Sequence, residues 1–151
     1  MNLLNSVLKL FLGDKKKRDL KELQPIVDRV HTFEQEITSL TNDELRQKTS
    51  DFRQIIKEKN KDFLLQIETL TEEAKTAEVS KKEEIYNEID RLENEMYAQT
   101  QKTLNEIQPI AFAVVKETAK RFTNHKTIPV TATPFDRELS AKRDFVTING
   151  D

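Results

Sequence analysis

Hydrophobic residues recur at helical spacing along most of the chain, and this pattern predicts several long helices. Near the N-terminus, Gly13 follows a short apolar face as a typical helix C-cap, and a basic cluster occupies residues 15–18. A second helix is predicted from Asp19 to Leu40, bent or restarted at Pro25. The short N-terminal face consists of Leu3, Leu4, Val7, Leu8 and Phe11.

Two capping-box patterns predict a long antiparallel helical hairpin. One box is Thr41-Asn42-Asp43-Glu44 and the other is Ser80-Lys81-Lys82-Glu83. Because no glycine or proline interrupts the first helix, we expect it to run roughly 50 Å before the chain turns near residues 77–80. The apolar stripes at heptad-like spacing are Leu45, Phe52, Ile56, Phe63, Ile67 and Leu70, then Ile85, Ile89, Leu92, Met96 and Ile107.

The pattern changes after the hairpin. Pro109 is predicted to end it and to begin a further helix, which reaches Phe122 and is apolar enough at residues 110–115 to be buried. Beyond that, the sequence predicts an extended loop and then a strand at residues 145–148, followed by the hairpin-turn pair Asn149-Gly150. A strand without a mate leaves backbone groups unpaired, so we expect a truncated piece of a longer protein.

The predicted fold is therefore mainly α: elongated helices with a long antiparallel helical hairpin, and a short C-terminal strand left from a truncated α/β domain. Five segments follow from the pattern. They are an amphipathic basic helix (1–18), a helical scaffold (19–58), a charged helical hairpin (59–107), an apolar helix (108–122), and a loop with the start of a β-hairpin (123–151).

Composition excludes several classes of chemistry. The only glycines are Gly13 and Gly150, so no phosphate-binding loop or dinucleotide fingerprint is present. The chain has no cysteine, and its two histidines, His31 and His125, have no second histidine at ligand spacing. We therefore predict no catalytic, cofactor-binding or metal-binding residue in this chain. With 34% charged and 36% hydrophobic residues, any core is thin.

The N-terminal helix is the strongest candidate for a contact with a membrane or a partner. Its apolar run, Leu3 to Leu12, is too short to span a bilayer, but it could lie in a lipid interface beside the basic cluster. The alternative is a terminal helix that packs on its own domain. Nucleic acid ranks third, because no aromatic residue is interleaved with the basic cluster. The candidate residues are Leu4, Val7, Leu8, Phe11, Lys15, Lys16, Lys17 and Arg18.

Two segments carry a more specific signal. The first is LTNDELRQKTSDFR, residues 40–53, and the second is PIAFAVVKETAKR, residues 109–121. Both resemble the amino-terminal region of SecA, the ATP-driven motor of bacterial preprotein translocation. The order of the two segments agrees with that family, and the resemblance covers about half the chain. Residues 59–104 form a longer charged insertion than the common family pattern has, and the tail from Pro129 to Gly150 also departs from it.

The resemblance implies a function that the composition does not. The first helix would approach an anionic lipid surface and a SecYEG-type channel, at the inner face of the bacterial cell membrane, as part of a cytoplasmic peripheral protein that moves a preprotein. The later helices would brace the first nucleotide-binding fold. ATP and Mg²⁺ are implied for the parent protein, an ATPase, and not for this fragment.

The inserted hairpin has no role implied by the family, and its long charged faces suggest a contact surface. A homodimer is possible, since an apolar seam can drive self-association. The competing hypothesis is a free-standing coiled-coil protein that binds a partner through the seam from Phe63 to Ile107, with no nucleotide role.

Overall fold

The computed structural model describes residues 15–150, except for the side chain of Lys16. Four helices account for most of this range. They are α1 (Lys15–Ser39), α2 (Asn42–Thr76), α3 (Val79–Asn124) and α4 (Pro134–Lys142). The mainly helical prediction is confirmed. The basic cluster forms the first turn of α1 and is not a tail between two helices.

The longest helix, α3, packs against both α1 and α2. The core at the point where the three helices meet is formed by Ile37 of α1, Leu45 of α2, and Ala113 and Val114 of α3. Phe33, Phe52 and other half-buried side chains pack around these four. The apolar segment at residues 110–115 thus contributes to the core, but only through one of its faces.

The capping box predicted at the start of α2 is confirmed. Thr41 Oγ1 accepts a hydrogen bond from the backbone N–H of Glu44 at 3.2 Å, and Thr41 N–H donates to the Glu44 carboxylate at 2.7 Å. These two bonds satisfy N–H groups that have no partner within the helix. They fix the turn between α1 and α2 at residues 40–41.

The predicted long antiparallel hairpin is confirmed as α2 and α3. With 35 residues, α2 extends roughly 50 Å. Residues 77 and 78 connect it to α3, and a second apolar cluster of Ala74, Ile85 and Ile89 lies next to this connection. The second predicted capping box is wrong. The helix α3 begins at Val79, so Ser80 already lies inside it. Glu78 is the N-cap instead, and its side chain makes no capping hydrogen bond.

Pro109 does not end the hairpin, contrary to the prediction. It lies inside the continuous helix α3, is fully buried, and is followed by Ala113 and Val114 of the core. A proline within a helix loses one backbone hydrogen bond and costs about 3 kcal/mol. Burial of Pro109 itself and of Ala113 and Val114 in the next turn offsets this cost. Pro25 is likewise contained within α1, which is not restarted there.

The predicted C-terminal strand is also wrong. No strand occurs between residues 15 and 150, and residues 146–150 have no partner strand to pair with. The Val146 N–H donates to the Arg143 carbonyl, and the Val146 carbonyl accepts from Ser140, so local bonds replace a ladder. Gly150 has a φ of +94°, which suits a turn residue.

The loop predicted before that strand contains α4 instead. Thr133 and Asp136 form a second capping box, with Pro134 at the first helical position. This signal was present in the sequence, but the two prolines made the segment look like a loop.

Replacing Ile37 by alanine tests the core where α1, α2 and α3 meet. Ile37 is completely buried, so we expect Ile37→Ala to lower the free energy of unfolding by about 2–5 kcal/mol in urea titrations. Leu65 on α2 is 62% exposed and serves as the control. Leu65→Ala should change the same quantity by less than about 1 kcal/mol, and equal losses in both variants would contradict this core.

Candidate functional site

The two motif segments, residues 40–53 and 109–121, lie against each other in the structure. Leu45 of the first and Val114 of the second belong to the same buried cluster. A polar network, defined here as Thr38, Asn42, Glu117 and Arg121, runs along one side of this cluster. The segments that carry the most specific sequence signal thus form one structural unit.

Arg121 is the centre of this polar network. Its guanidinium donates to the Leu40 carbonyl at 2.7 Å, to Asn42 Oδ1 at 2.8 Å, and to Glu117 Oε1 at 2.9 Å. A fourth, longer bond reaches the Thr38 carbonyl at 3.4 Å. Carbonyl groups at the end of a helix have no partner within it, and the fixed fork of an arginine can bind several at once. Arg121 therefore joins the end of α3 to the turn between α1 and α2.

Glu117 completes the network from the same helix. It is 8% exposed and accepts from Thr38 Oγ1 of α1 at 3.2 Å. Burial raises the pKa of Glu117, but the hydrogen bond from Arg121, the nearby Lys120 charge and the Thr38 hydroxyl outweigh it, so the pKa lies below its ordinary value. A buried carboxylate paired in this way stays ionised at neutral pH.

A second set of polar contacts holds the segment after α3 against α2. Asn42 Nδ2 donates to the Pro129 carbonyl at 2.9 Å, and Asp43 accepts from both the N–H and the hydroxyl of Thr131. Arg46 pairs with Asp136 of α4 at 2.7 Å. The bonds from Thr131 hold the pKa of Asp43 below its usual range.

Asp136 is the most strongly perturbed carboxylate of this attachment. The bond from Arg46, followed by the bonds from Thr133 N–H and Oγ1, holds the pKa of Asp136 well below its ordinary value. Because α4 buries no residue of its own, the ion pair between Arg46 and Asp136 is its main attachment to α2.

An apolar groove lies next to the polar network, with a volume of about 560 Å³. It is lined by Leu45 and Thr49 of α2, by Val115 and Phe122 of α3, and by Val130 of the following segment. An apolar face of α3, defined here by Leu104, Phe112, Val115 and Phe122, continues from it into solvent. Phe122 is 69% exposed, Val115 64% and Phe112 53%, so no residue of the described chain covers this face.

The contact residues predicted from the sequence lie elsewhere. Lys15, Lys17 and Arg18 are exposed on the first turn of α1, about 30 Å along the helix from Thr38. Leu4, Val7, Leu8 and Phe11 lie outside the described residues, and so does the Lys16 side chain. None of the helices between residues 15 and 150 combines the length and apolar character that crossing a bilayer requires.

The polar network and the core bind the three long helices together. Within residues 15–150, no group of three or more His, Asp or Glu side chains is positioned to hold a metal ion. Asn42 and Arg121 lie within the two motif segments, but the sequence predicts no role for them, because these two hydrogen-bonded residues are 79 positions apart along the chain.

Comparison with known proteins identifies the family. A sequence model of the SecA DEAD-like domain matches residues 8–139, a span that includes both motif segments and the polar network. The chain belongs to the SecA family. The matched span also includes the hairpin, so this part of the chain lies within the region recognised as SecA. The free-standing coiled-coil hypothesis finds no support in these matches.

Several curated SecA sequences align with nearly all of this chain. It is 47% identical to the protein translocase subunit SecA of Christiangramia forsetii and 46% identical to that of Flavobacterium psychrophilum, over its whole length in both cases. The corresponding Bacteroides fragilis protein is 40% identical over 97% of the chain. The chain spans only 13–14% of the length of these relatives and matches their N-terminal part. No solved structure matches the chain significantly.

The attachment of α4 should weaken in acid. The folded pKa of Asp136 is lowered, so its contribution is complete above the unfolded value of about 3.9 and is lost as the pH falls below it. NMR shifts of α4 amides should therefore show release in acid, and Asp136→Asn should show partial release already at pH 7 with a smaller further change. Glu138→Gln, which removes an exposed pair with Lys142, is the control. An α4 that stays attached at pH 7 in Asp136→Asn would contradict this account.

Proposed function

We propose that this chain is the docking and scaffold segment of an ATP-driven motor that moves preproteins through a SecYEG-type channel. The polar network and the core set the relative positions of α1, α2 and α3, and the rest of the motor packs on the scaffold that they form. The basic end of α1 faces the membrane or the channel. The protein as a whole would act at the cytoplasmic face of a bacterial membrane as a peripheral ATPase.

The uncovered apolar face of α3 is the observation that carries the scaffold role. Phenylalanine and valine side chains in a continuous helical stripe are costly to leave in water, at about 25 cal/mol per Å². The curated relatives have about six-sevenths of their length outside the matched region, since the chain covers 14% of them. We expect a segment from this remainder of a SecA protein to pack on the apolar face.

The basic end of α1 supports the docking role. Lys15, Lys17 and Arg18 are exposed at the start of a 25-residue helix whose other end is fixed by Arg121. Each basic residue near an anionic membrane surface contributes about 1 kcal/mol of attraction. The amphipathic pattern of Leu4, Val7, Leu8 and Phe11 precedes this cluster in the sequence and would add apolar contact with the interface.

ATP and Mg²⁺ belong to this proposal only through the parent protein. A phosphate-binding loop needs closely spaced glycines, and the two glycines of this chain are 137 positions apart. The residues that bind nucleotide would therefore come from other segments. The part played by α1, α2 and α3 is to hold those segments in place.

The distal part of the hairpin formed by α2 and α3, residues 61–98, would add a separate contact surface. Residues 66–95 contain ten acidic and four basic residues, whereas the remainder of the chain has more basic than acidic residues. Exposed Tyr86 and Tyr97 lie on or next to this acidic part. Opposite charge guides the encounter of two surfaces, so a basic surface of the translocation machinery is the partner that we propose for it.

Vesicle binding tests the docking role. The chain should bind anionic vesicles more strongly than neutral ones, and binding should weaken with salt because charges are screened over roughly 10 Å at 0.1 M. Replacing Lys15, Lys16, Lys17 and Arg18 by glutamine should abolish binding in a flotation assay. Replacing Lys61, Lys75, Lys81 and Lys82 of the hairpin removes the same charge and should leave it unchanged. Equal binding by the first variant and the parent would contradict the docking role.

A comparison of this chain with a full-length SecA that contains it tests the scaffold role. Phe112 is 53% exposed, so Phe112→Ser should change the stability of this chain by less than about 1 kcal/mol. The same substitution in the full-length protein should lower the melting temperature and the ATPase rate, because the side chain would then be covered. Leu65→Ser on the hairpin is the control and should affect neither protein. An unchanged full-length Phe112→Ser variant would contradict the scaffold role.

A further inference from the structure

A polar layer, defined here as Asn60, Gln99, Thr100 and Thr103, interrupts the packing between α2 and α3. Asn60 Nδ2 donates to Thr100 Oγ1 across the two helices at 2.7 Å. Thr103 is completely buried, and its hydroxyl accepts from Gln99 of its own helix at 3.2 Å. Polar side chains thus occupy positions that an apolar seam would normally fill.

The polar layer lies between the two apolar clusters of the molecule. On α2, Asn60 stands between Phe52, which packs on the first cluster, and Ile67, which packs on the second. On α3, Thr100 and Thr103 stand between Ile89 of the second cluster and Ile110 beside the first. Both helices therefore place polar side chains in their packed face at the same level of the hairpin.

The hydrogen bonds of the polar layer are incomplete. Asn60 Oδ1 is buried and has no hydrogen-bond partner, which makes the closed arrangement unfavourable for that atom. Thr100 and Thr103 donate back to the carbonyls of Met96 and Gln99, four residues earlier. Such back-bonding by threonine weakens and bends a helix. Two of these bonds lie within one turn of α3, beside the unpaired Asn60 Oδ1.

Fixing the helical register is the usual role of a buried asparagine in a coiled coil. In this hairpin the two-residue connection at Ala77 and Glu78 already fixes the register of α2 against α3. The polar layer is therefore not needed to fix the register, and its incomplete hydrogen bonding calls for a different explanation.

We propose that the polar layer is a bend point, at which the distal hairpin, residues 61–98, moves relative to the root of the molecule. The distal part has its own apolar cluster and keeps its shape, while the root is held by the first cluster and by Arg121. Opening of the layer exposes Asn60 Oδ1 to water and costs little apolar burial. The acidic end of the hairpin thus moves as a rigid body about the polar layer.

Hydrogen exchange of the whole 151-residue chain is the first test. The bend point predicts that amides at residues 57–61 and 99–104 exchange about tenfold faster than amides of the two flanking apolar clusters. In Asn60→Leu, which fills the layer with an apolar side chain, this difference should disappear. Thr69→Val removes a similar back-bond to Leu65 outside the layer and is the control. Uniform protection along α2 and α3 in the parent chain would overturn the proposal.

Distance distributions give a second and independent test. Because the chain has no cysteine, Gln35→Cys on α1 and Glu78→Cys at the hairpin connection can be spin-labelled without further changes. We expect a broad distribution in the parent chain and one at least about twofold narrower when Asn60→Leu and Thr103→Val are added. If both chains give the same width, the distal hairpin does not move relative to the root of the molecule, and the proposal is wrong. If Thr103→Val prevents folding, the chain with Asn60→Leu alone is used in place of the double variant.

Discussion

The guanidinium of Arg121 is the interaction on which the arrangement of the three long helices depends. It binds a carbonyl in the turn after α1, the side chain of Asn42 at the start of α2, and Glu117 on its own helix. Each of these groups would otherwise be an incompletely bonded polar group near the core, which is costly. The apolar cluster of Ile37, Leu45, Ala113 and Val114 lies beside this contact, so packing and hydrogen bonding reinforce each other.

Three chemically different surfaces extend from this junction. The basic start of α1 lies about 30 Å from the network, the acidic distal hairpin extends along α2 and α3, and the apolar face of α3 remains open beside the groove. In the docking and scaffold role proposed above, this junction would hold the basic start of α1 and the apolar face of α3 at fixed relative positions. The polar layer then allows the hairpin to move without disturbing the junction.

Local signals in the sequence predicted much of this fold. The capping box of Thr41 and Glu44 and the apolar stripes of α2 and α3 depend on neighbours within a few residues, and both are found in the structure. The prediction at Pro109 is wrong because burial of Pro109 and of the core residues that follow it overrides the local preference of proline. The C-terminal strand was misread because β-branched residues form a strand only where a second strand is available.

The candidate site was less predictable for a similar reason. Arg121 and Asn42 are 79 residues apart, and no periodicity in the sequence connects them. The family resemblance selected the two segments in which they lie, yet only the three-dimensional contact gives each side chain a role. Asn60 and Thr100 were hidden in the same way, since each looks like an ordinary polar residue on a charged helix.

A double-mutant cycle between Asn42 and Arg121 tests the central claim most directly. The free energy of unfolding would be measured by urea titration for the parent chain, Asn42→Ala, Arg121→Met and the double variant. If Arg121 joins α3 to the start of α2, the summed losses of unfolding free energy in the two single variants should exceed the loss in the double variant by about 0.5–3 kcal/mol. Losses that add to within about 0.3 kcal/mol would show that the two side chains act independently, and the account of the junction would be wrong.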